Sequence, residues 1–254
     1  MKKLIALFCV ASAVTALADT PAASDNVFGV LRVDSTSAQT IVSVPWEAPG
    51  GGAIKVKDAI KTANLTKGDQ LYYYDATAKT PSYKLWVLGD NGWEGAETVK
   101  GGDDGKGIVT ASMGGDEELA RGGALILVRK EPSKPFYLYG QYTATSASLN
   151  VVPGSDAAPA YSLVAPAVAT STSLDTLASS FVGKKDTVFV RDSSGNTRAL
   201  VCRQVDEQYK WGIVTKTEMG QPENFESVEI TIPAGEGFWY VSYGGTLTAP
   251  VQDN

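Results

Sequence analysis

The chain has 254 residues, 22 Lys+Arg against 28 Asp+Glu, no histidine and two cysteines. The missing histidine excludes Ser-His-Asp and Cys-His catalysis and histidine-ligated zinc, and a net charge of −6 argues against nucleic acid or anionic lipid as partner. Hydrophobic residues at 43% and charged residues at 20% suit a packed globular domain, not a disordered chain.

Residues 1–18 read as a signal peptide. Lys2 and Lys3 form the basic start, Leu4 to Leu17 an apolar run, and Ala16-Leu17-Ala18 a small-x-small cleavage site before Asp19. The run is shorter than the roughly 20 residues that span a bilayer, so no integral membrane segment is expected after cleavage. The expected location is exported: periplasmic, cell-surface or extracellular. Cys9 leaves with the signal, and Cys202 is then the lone cysteine, in the strand-like stretch Arg198-Ala-Leu-Val-Cys202-Arg203. Without histidine to activate it, Cys202 reads as a small buried hydrophobe.

After a short linker at 19–26, the chain reads as two copies of one unit, at 27–131 and 137–251, with a proline-rich joint at 132–136. Residues 56–75, VKDAIKTANLTKGDQLYYYD, align without a gap on 173–192, SLDTLASSFVGKKDTVFVRD. Asp58 falls on Asp175, Lys67 on Lys184, Asp69 on Asp186 and Asp75 on Asp192. Upstream, Thr40–Pro45 matches Tyr161–Pro166, and downstream Lys84–Leu88 matches Arg198–Cys202. Trp-Gly-type turns follow at Gly92-Trp93 and Trp211-Gly212. Each copy closes on a glycine-rich turn feeding an apolar strand: Arg121-Gly-Gly-Ala-Leu-Ile-Leu-Val-Arg129, then Pro233-Ala-Gly-Glu-Gly-Phe-Trp-Tyr-Val241. Phe28-Gly29 opens the first copy as Tyr139-Gly140 opens the second.

Each unit reads mostly as strand. Alternation puts Leu71, Tyr73 and Asp75 on one face and Tyr72 and Tyr74 on the other. Gly89-Asp-Asn-Gly92 and Asp192–Asn196 read as hairpin turns. Val56, Ala59, Ile60 and Ala63, and again Leu174, Leu177, Ala178 and Phe181, follow helical spacing and predict one short helix per unit. Thr172 with Asp175 resembles a capping box, and the first copy has Lys55 there instead. Thr246–Val251 reads as a closing strand. The fold class predicted is mainly β: two tandem β-barrel or sandwich-like repeats, each with one short helix.

The segment Ile232-Pro-Ala-Gly-Glu-Gly-Phe-Trp-Tyr240 resembles the ending of poorly characterised secreted bacterial β-rich tandem-module proteins, where a PAGxGFW-type segment closes the unit. The resemblance implies a non-catalytic envelope or extracellular protein and carries over no catalytic residue. The first copy departs from it, with Arg121-Gly-Gly-Ala-Leu-Ile in that place.

Candidate sites are few. Five tryptophans and eleven tyrosines could stack on sugar faces. Trp86 and Trp239 lie in apolar strands and read as core or interface; Trp93 and Trp211, beside glycines near turns, are the ligand-contact candidates. The acidic glycine-rich loops Gly101–Gly107 and Gly114–Glu118 lack the spacing of an EF-hand and read as solvated excursions, so no metal is assigned. Gly235-Glu-Gly237 precedes a strand, not a helix, which leaves phosphate binding unsupported and a tight turn favoured. Glu94, Glu97 and Glu236 are hydrolytic candidates by position only. No catalytic residue and no cofactor is predicted. The expected function is a secreted non-enzymatic structural or interaction protein, with self-association or an envelope or extracellular glycan or protein as partner. A carbohydrate-binding module using exposed aromatics and an acid-only secreted glycan hydrolase are the alternatives.

Overall fold

The computed structural model describes residues 28–78, 82–96, 111–141, 149, 151–180, 186–191, 196–215 and 224–247. The expected signal peptide and linker, Cys9, Glu97, Gly101–Gly107, Lys184, Asp192 and residues 248–251 lie outside them. The protein is mainly β, as its alternating pattern of β-branched and aromatic residues predicts.

In the first half the elements are β1 (Phe28–Val33), β2 (Gln39–Ser43), β3 (Ile54–Lys55), α1 (Val56–Ala59), β4 (Ile60–Lys61), β5 (Gln70–Asp75), β6 (Ser82–Gly89), β7 (Gly92–Gly95), β8 (Ala111–Met113), β9 (Glu118–Leu119), β10 (Ala124–Val128) and β11 (Phe136–Gln141). In the second they are β12 (Ala160–Val164), β13 (Thr172–Ser173), a 3-10 turn (Leu174–Leu177), β14 (Ala178–Ser180), β15 (Thr187–Arg191), β16 (Thr197–Val205), β17 (Gln208–Thr215), β18 (Asn224–Ser227), β19 (Thr231–Ile232), β20 (Phe238–Ser242) and β21 (Thr246–Leu247).

The two large sheets share a strand order. One runs β2-β10-β5-β6-β7, with β8 joined to β6, and the other β12-β20-β15-β16-β17-β18. In each, the first strand lies beside the last, and that one beside the strand after the short helical turn. Cross-strand partners correspond closely: Leu71 opposes Trp86 as Val188 opposes Leu200, and Leu88 opposes Trp93 as Cys202 opposes Trp211. The register also moves one sequence match. Val42 opposes Leu125 where Val164 opposes Phe238, so Val42 corresponds to Val164 and not to Leu163 as the Thr40–Pro45 match had it. A slip of one residue exchanges the faces of a strand, and Leu163 indeed faces away from its own unit's core.

Asp69 and Asp186, paired by the sequence, do the same work in both halves. Each is buried at 1% exposure and heads its strand. Asp69 Oδ2 accepts from Thr66 N at 2.9 Å and Oδ1 from Lys130 N at 2.8 Å. Asp186 Oδ1 accepts from Tyr243 N at 2.6 Å and Oδ2 from the Tyr240 hydroxyl at 2.8 Å. Each carboxylate ties the start of its strand to the chain leaving the strand beside it.

Helical spacing overstates the helices. α1 is one turn with no side-chain cap at Lys55, and Ile60 is extended at φ −119° and pairs with Leu138. Its counterpart is a 3-10 turn followed directly by strand. The capping box does not form: Thr172 sits in β13 opposite Ile232, and Asp175 accepts from Lys210 Nζ at 3.1 Å and Trp211 N at 3.2 Å. A four-residue turn buries its apolar pair, and the chain then gains more from strand hydrogen bonds than from a second turn.

The expected boundary near 131–137 also moves. β11 pairs with β1 and β4, and Phe136 and Leu138 are buried in the first core, so the strand read as opening the second copy completes the first. The likeness of Phe28-Gly29 to Tyr139-Gly140 has a local cause. Gly29 and Gly140 oppose each other across the β1–β11 ladder, and a Cβ on either would come within 2.8 Å or 2.5 Å of Trp46, which fills the space they leave. Nor is Trp211-Gly212 a turn: both lie inside β17, and the chain reverses at Asp206-Glu207, where both residues take positive φ. The Gly89–Gly92 hairpin forms as predicted.

Each large sheet covers its own core. Leu71, Trp86, Leu125 and Leu127 pack with Val33, Phe136 and Leu138 of the smaller sheet. Val188, Leu200, Trp211, Phe238 and Tyr240 pack with Leu174 and Leu177. The opposite faces of the two sheets meet in a third cluster, where Ala124, Ile126, Leu163 and Ala165 are buried together. That explains the unbroken apolar run Ala124-Leu-Ile-Leu-Val128, since a strand covered on both faces has no polar side. Backbone bonds stitch the halves: Ser43 N to Gly235 O and Gly237 N to Ile41 O, both 2.9 Å, with Ser43 Oγ donating to Pro166 O at 2.7 Å. Gly235 has φ +79°, and a Cβ there would meet Val33 at 2.6 Å, so this turn needs glycine for its conformation and for the junction alike.

Candidate functional site

Strand alternation decides what the junction presents. Val188 and Val190 point into the second core, so Phe189 and Arg191 leave on the other face. Phe238 and Tyr240 do the same for Trp239, and Leu71 with Tyr73 for Tyr72 and Tyr74. The outward side chains of both sheets then meet in three adjoining hollows.

The first, about 330 Å³, is lined entirely by aromatic residues: Tyr74, Tyr83, Tyr161, Phe189 and Trp239. Tyr74 opposes Tyr83 in the β5–β6 ladder, with ring centroids 5.0 Å apart and planes at 45°. Tyr74 also meets Trp239 edge-on, at 5.0 Å and 72°, across the two halves. Tyr161 is 52% exposed and Phe189 36% exposed, so the hollow opens to solvent. Burial raises the pKa values of Tyr72, Tyr74 and Tyr83 still further above physiological pH, where a phenol is already neutral.

Phe189 and Trp239 also line the second hollow, about 200 Å³, together with Arg191, Glu236 and Thr197. Arg191 and Glu236 in turn line the third, a cleft of about 690 Å³ with Ser35, Ser37, Arg198 and Thr231. Shared lining residues set the three side by side in a row, the trough, aromatic at one end and charged and hydroxyl-lined at the other. Burial pushes the Glu236 carboxyl above its ordinary range, opposed by the charges of Arg191 and then Arg129. Arg191 Nη1 is buried and has no hydrogen-bond partner among the described residues. Arg129 is a structural neighbour: 3% exposed, it donates to the carbonyls of Ser35, Ser37 and Lys134 and holds the loop that walls the cleft.

Trp93 and Trp211, read from the sequence as exposed, are not part of the trough. Trp211 is 0% exposed and Trp93 8%, and each packs in its own core opposite Cys202 or Leu88. Gly212 marks a close strand approach, where a Cβ would meet Glu226 O at 2.3 Å, whereas Gly92 serves the hairpin turn at φ +113° with open space around it. Trp86 is buried as expected, while Trp239 sits at the interface, partly buried. Of the two described acids among the candidates, Glu94 is exposed on β7 and Glu236 enters the trough. Two of the three acids of Gly114–Glu118 are in ion pairs, Asp116 with Lys57 at 2.6 Å and Glu117 with Lys84 at 2.8 Å. Among the described residues no group of three or more acids or cysteines is placed to hold a metal ion, and no helix is long and apolar enough to cross a membrane. Sequence reasoning missed Tyr74, Tyr83, Tyr161, Phe189 and Arg191. The outward positions of strands whose alternate positions are core-forming would have found them.

Cys202 is 5% exposed, and burial first, then Asp186 and Asp175, push its thiol up to about 12. At pH 8 it is a neutral, covered thiol. Native protein should therefore leave a thiol-disulfide reagent unreacted over an hour and take up one equivalent at Cys202 in denaturant. Rapid native labelling would place this side chain at the surface. Comparison with known protein families, with curated proteins and with solved structures finds no match to the chain.

Proposed function

We propose that this is an exported, non-enzymatic binding protein of the bacterial cell envelope or exterior, built by duplication of one β unit, whose trough holds a glycan. The observation that carries the reading is the all-aromatic hollow assembled from both halves. Two exposed aromatic rings, Tyr161 and Phe189, gathered with three partly buried ones in one hollow favour an interaction site over chance exposure. Sugar rings present flat apolar faces edged by hydroxyls; aromatic rings stack on the faces, and hydroxyl and planar charged side chains bond the edges. The hydroxyl-lined cleft that continues from the hollow supplies the second kind of contact. Duplication is supported by the shared strand order and by the matched work of Asp69 and Asp186. Export is supported by Lys2-Lys3, the apolar run and Ala16-Leu17-Ala18. Kinship with secreted β-rich tandem modules rests on the Pro233–Trp239 segment, whose turn stitches the halves and whose tryptophan enters the trough.

Fluorescence titration with soluble glycans tests the reading. Trp46, Trp86, Trp93 and Trp211 are all buried, so Trp239 is the tryptophan placed to report on a ligand in the trough. Binding should change the emission, and Trp239→Ala should abolish the change. Tyr161→Ala should weaken binding by about fivefold, close to 1 kcal/mol for one lost stacking face, with little effect on stability because the ring is exposed. Glycan binding that ignores both substitutions would place the ligand elsewhere.

A further inference from the structure

We infer that the waist of the trough, where Arg191 and Glu236 stand together, selects a neutral sugar by a pair of adjacent hydroxyls. This rests on the glycan reading above and names the substrate class. The two groups line both the second and the third hollow, so they stand where the aromatic side of the row adjoins the hydroxyl-lined cleft. Arg191 Nη1 needs an acceptor: it is buried, unpartnered among the described residues, and an unmet buried donor is costly. Glu236 needs a donor. The carboxylate is partly buried where the second and third hollows adjoin, and no hydrogen bond from a described residue reaches it.

The backbone fixes where Glu236 stands. Its N–H donates to Pro233 O at 3.0 Å, and its two neighbours are bonded to β2 through Gly235 O and Gly237 N. Arg191 is set by β15, two residues from Phe189 on the same face. The site is therefore preorganised, and ordering costs little on binding.

Charge chooses among sugars. A ligand carboxylate would satisfy Arg191 but stand beside Glu236, with Asp34 and Glu229 further along the cleft. An ammonium group would do the reverse and face Arg191 and Arg198. Two adjacent hydroxyls meet both needs, one accepting from Nη1 and the other donating to the carboxylate, with no net charge brought in. Phe189 and Trp239 lie next to the pair, so the same or the adjoining ring stacks while its edge is held.

Calorimetric titration of the full chain tests this with cellohexaose, xylohexaose, laminarihexaose and mannohexaose as neutral probes, hexagalacturonate as acidic probe and a proline-rich decapeptide as non-sugar control. At least one neutral hexaose should bind, and more tightly than hexagalacturonate. Arg191→Gln and Glu236→Gln should each weaken that binding by about tenfold, with unchanged melting temperature, and Arg191→Lys should recover part of it. Tighter binding of hexagalacturonate, or neutral binding untouched by Glu236→Gln, would overturn the hydroxyl-pair assignment while Trp239 dependence kept the aromatic reading intact. No binding by any hexaose, or a peptide that alone binds in a Trp239-dependent way, would overturn both. Should Arg191→Gln fail to fold, Glu236→Gln, on a partly exposed turn, decides the question.

Discussion

Asp186→Ala should destabilise the protein by about 3 kcal/mol and lower its melting temperature by about 6–12 °C. The carboxylate is buried and holds two donors, the Tyr243 N–H at 2.6 Å and the Tyr240 hydroxyl at 2.8 Å. Alanine leaves both without acceptors in a place water does not reach, and a buried group left unmet costs about 1–3 kcal/mol. Burial first, then Asp186, drives the Tyr240 hydroxyl well above the ordinary tyrosine range, so it remains a donor at all accessible pH. Tyr240→Phe should cost less, about 1–2 kcal/mol, because Asp186 keeps its backbone partner. The double variant should lose less than the sum of the two, since the pair shares one bond. Asp69→Ala should lose a comparable amount to Asp186→Ala, through the Thr66 and Lys130 amides. Thermal and urea unfolding measure all of these. An Asp186→Ala variant within about 0.5 kcal/mol of the parent would mean that the junction relaxes around the missing carboxylate.

Trp211→Ala should cost more, about 3–5 kcal/mol, with glycan binding retained in whatever fraction stays folded. The indole is wholly buried among strand residues of the second core, and its backbone N–H donates to Asp175 at 3.2 Å. Its removal leaves a cavity that the flanking ladders, pinned on both edges of β17, are poorly placed to fill. Trp239→Ala is the contrast: partly buried at the junction, it should lose far less stability and most of the binding. Urea midpoints and calorimetry on the two variants separate the roles. If Trp211→Ala kept its midpoint and lost glycan binding, that ring would be the ligand contact the sequence first suggested.

How far the sequence reached depends on which contacts each feature needed. Strands such as Gln70–Asp75 and Phe238–Ser242 were legible because their alternation is local. The Gly89–Gly92 hairpin was legible because a two-residue loop fixes its own register. Asp69 and Asp186 stood out as identities, although their buried work did not. Helical spacing misled at Ile60, where pairing with Leu138, far along the chain, outweighed a second helical turn. Trp93 and Trp211 misled because glycine beside tryptophan suits an exposed turn and a tight strand crossing equally well. The Asp206-Glu207 reversal escaped because its second residue, glutamate, is not a usual choice for positive φ, although aspartate is.

The sequence by itself determined the chemistry the chain lacks, its mainly β character, and which side chains of each strand share a face, because composition and strand alternation are local properties of the chain. Only the tertiary structure decided what the second faces do. Their fate depends on sheets joined by bonds such as Ser43 to Pro166, 123 positions apart. Packing at that distance covered Ala124 and Leu163, left Tyr161 and Phe189 open, and set Arg191 beside Glu236.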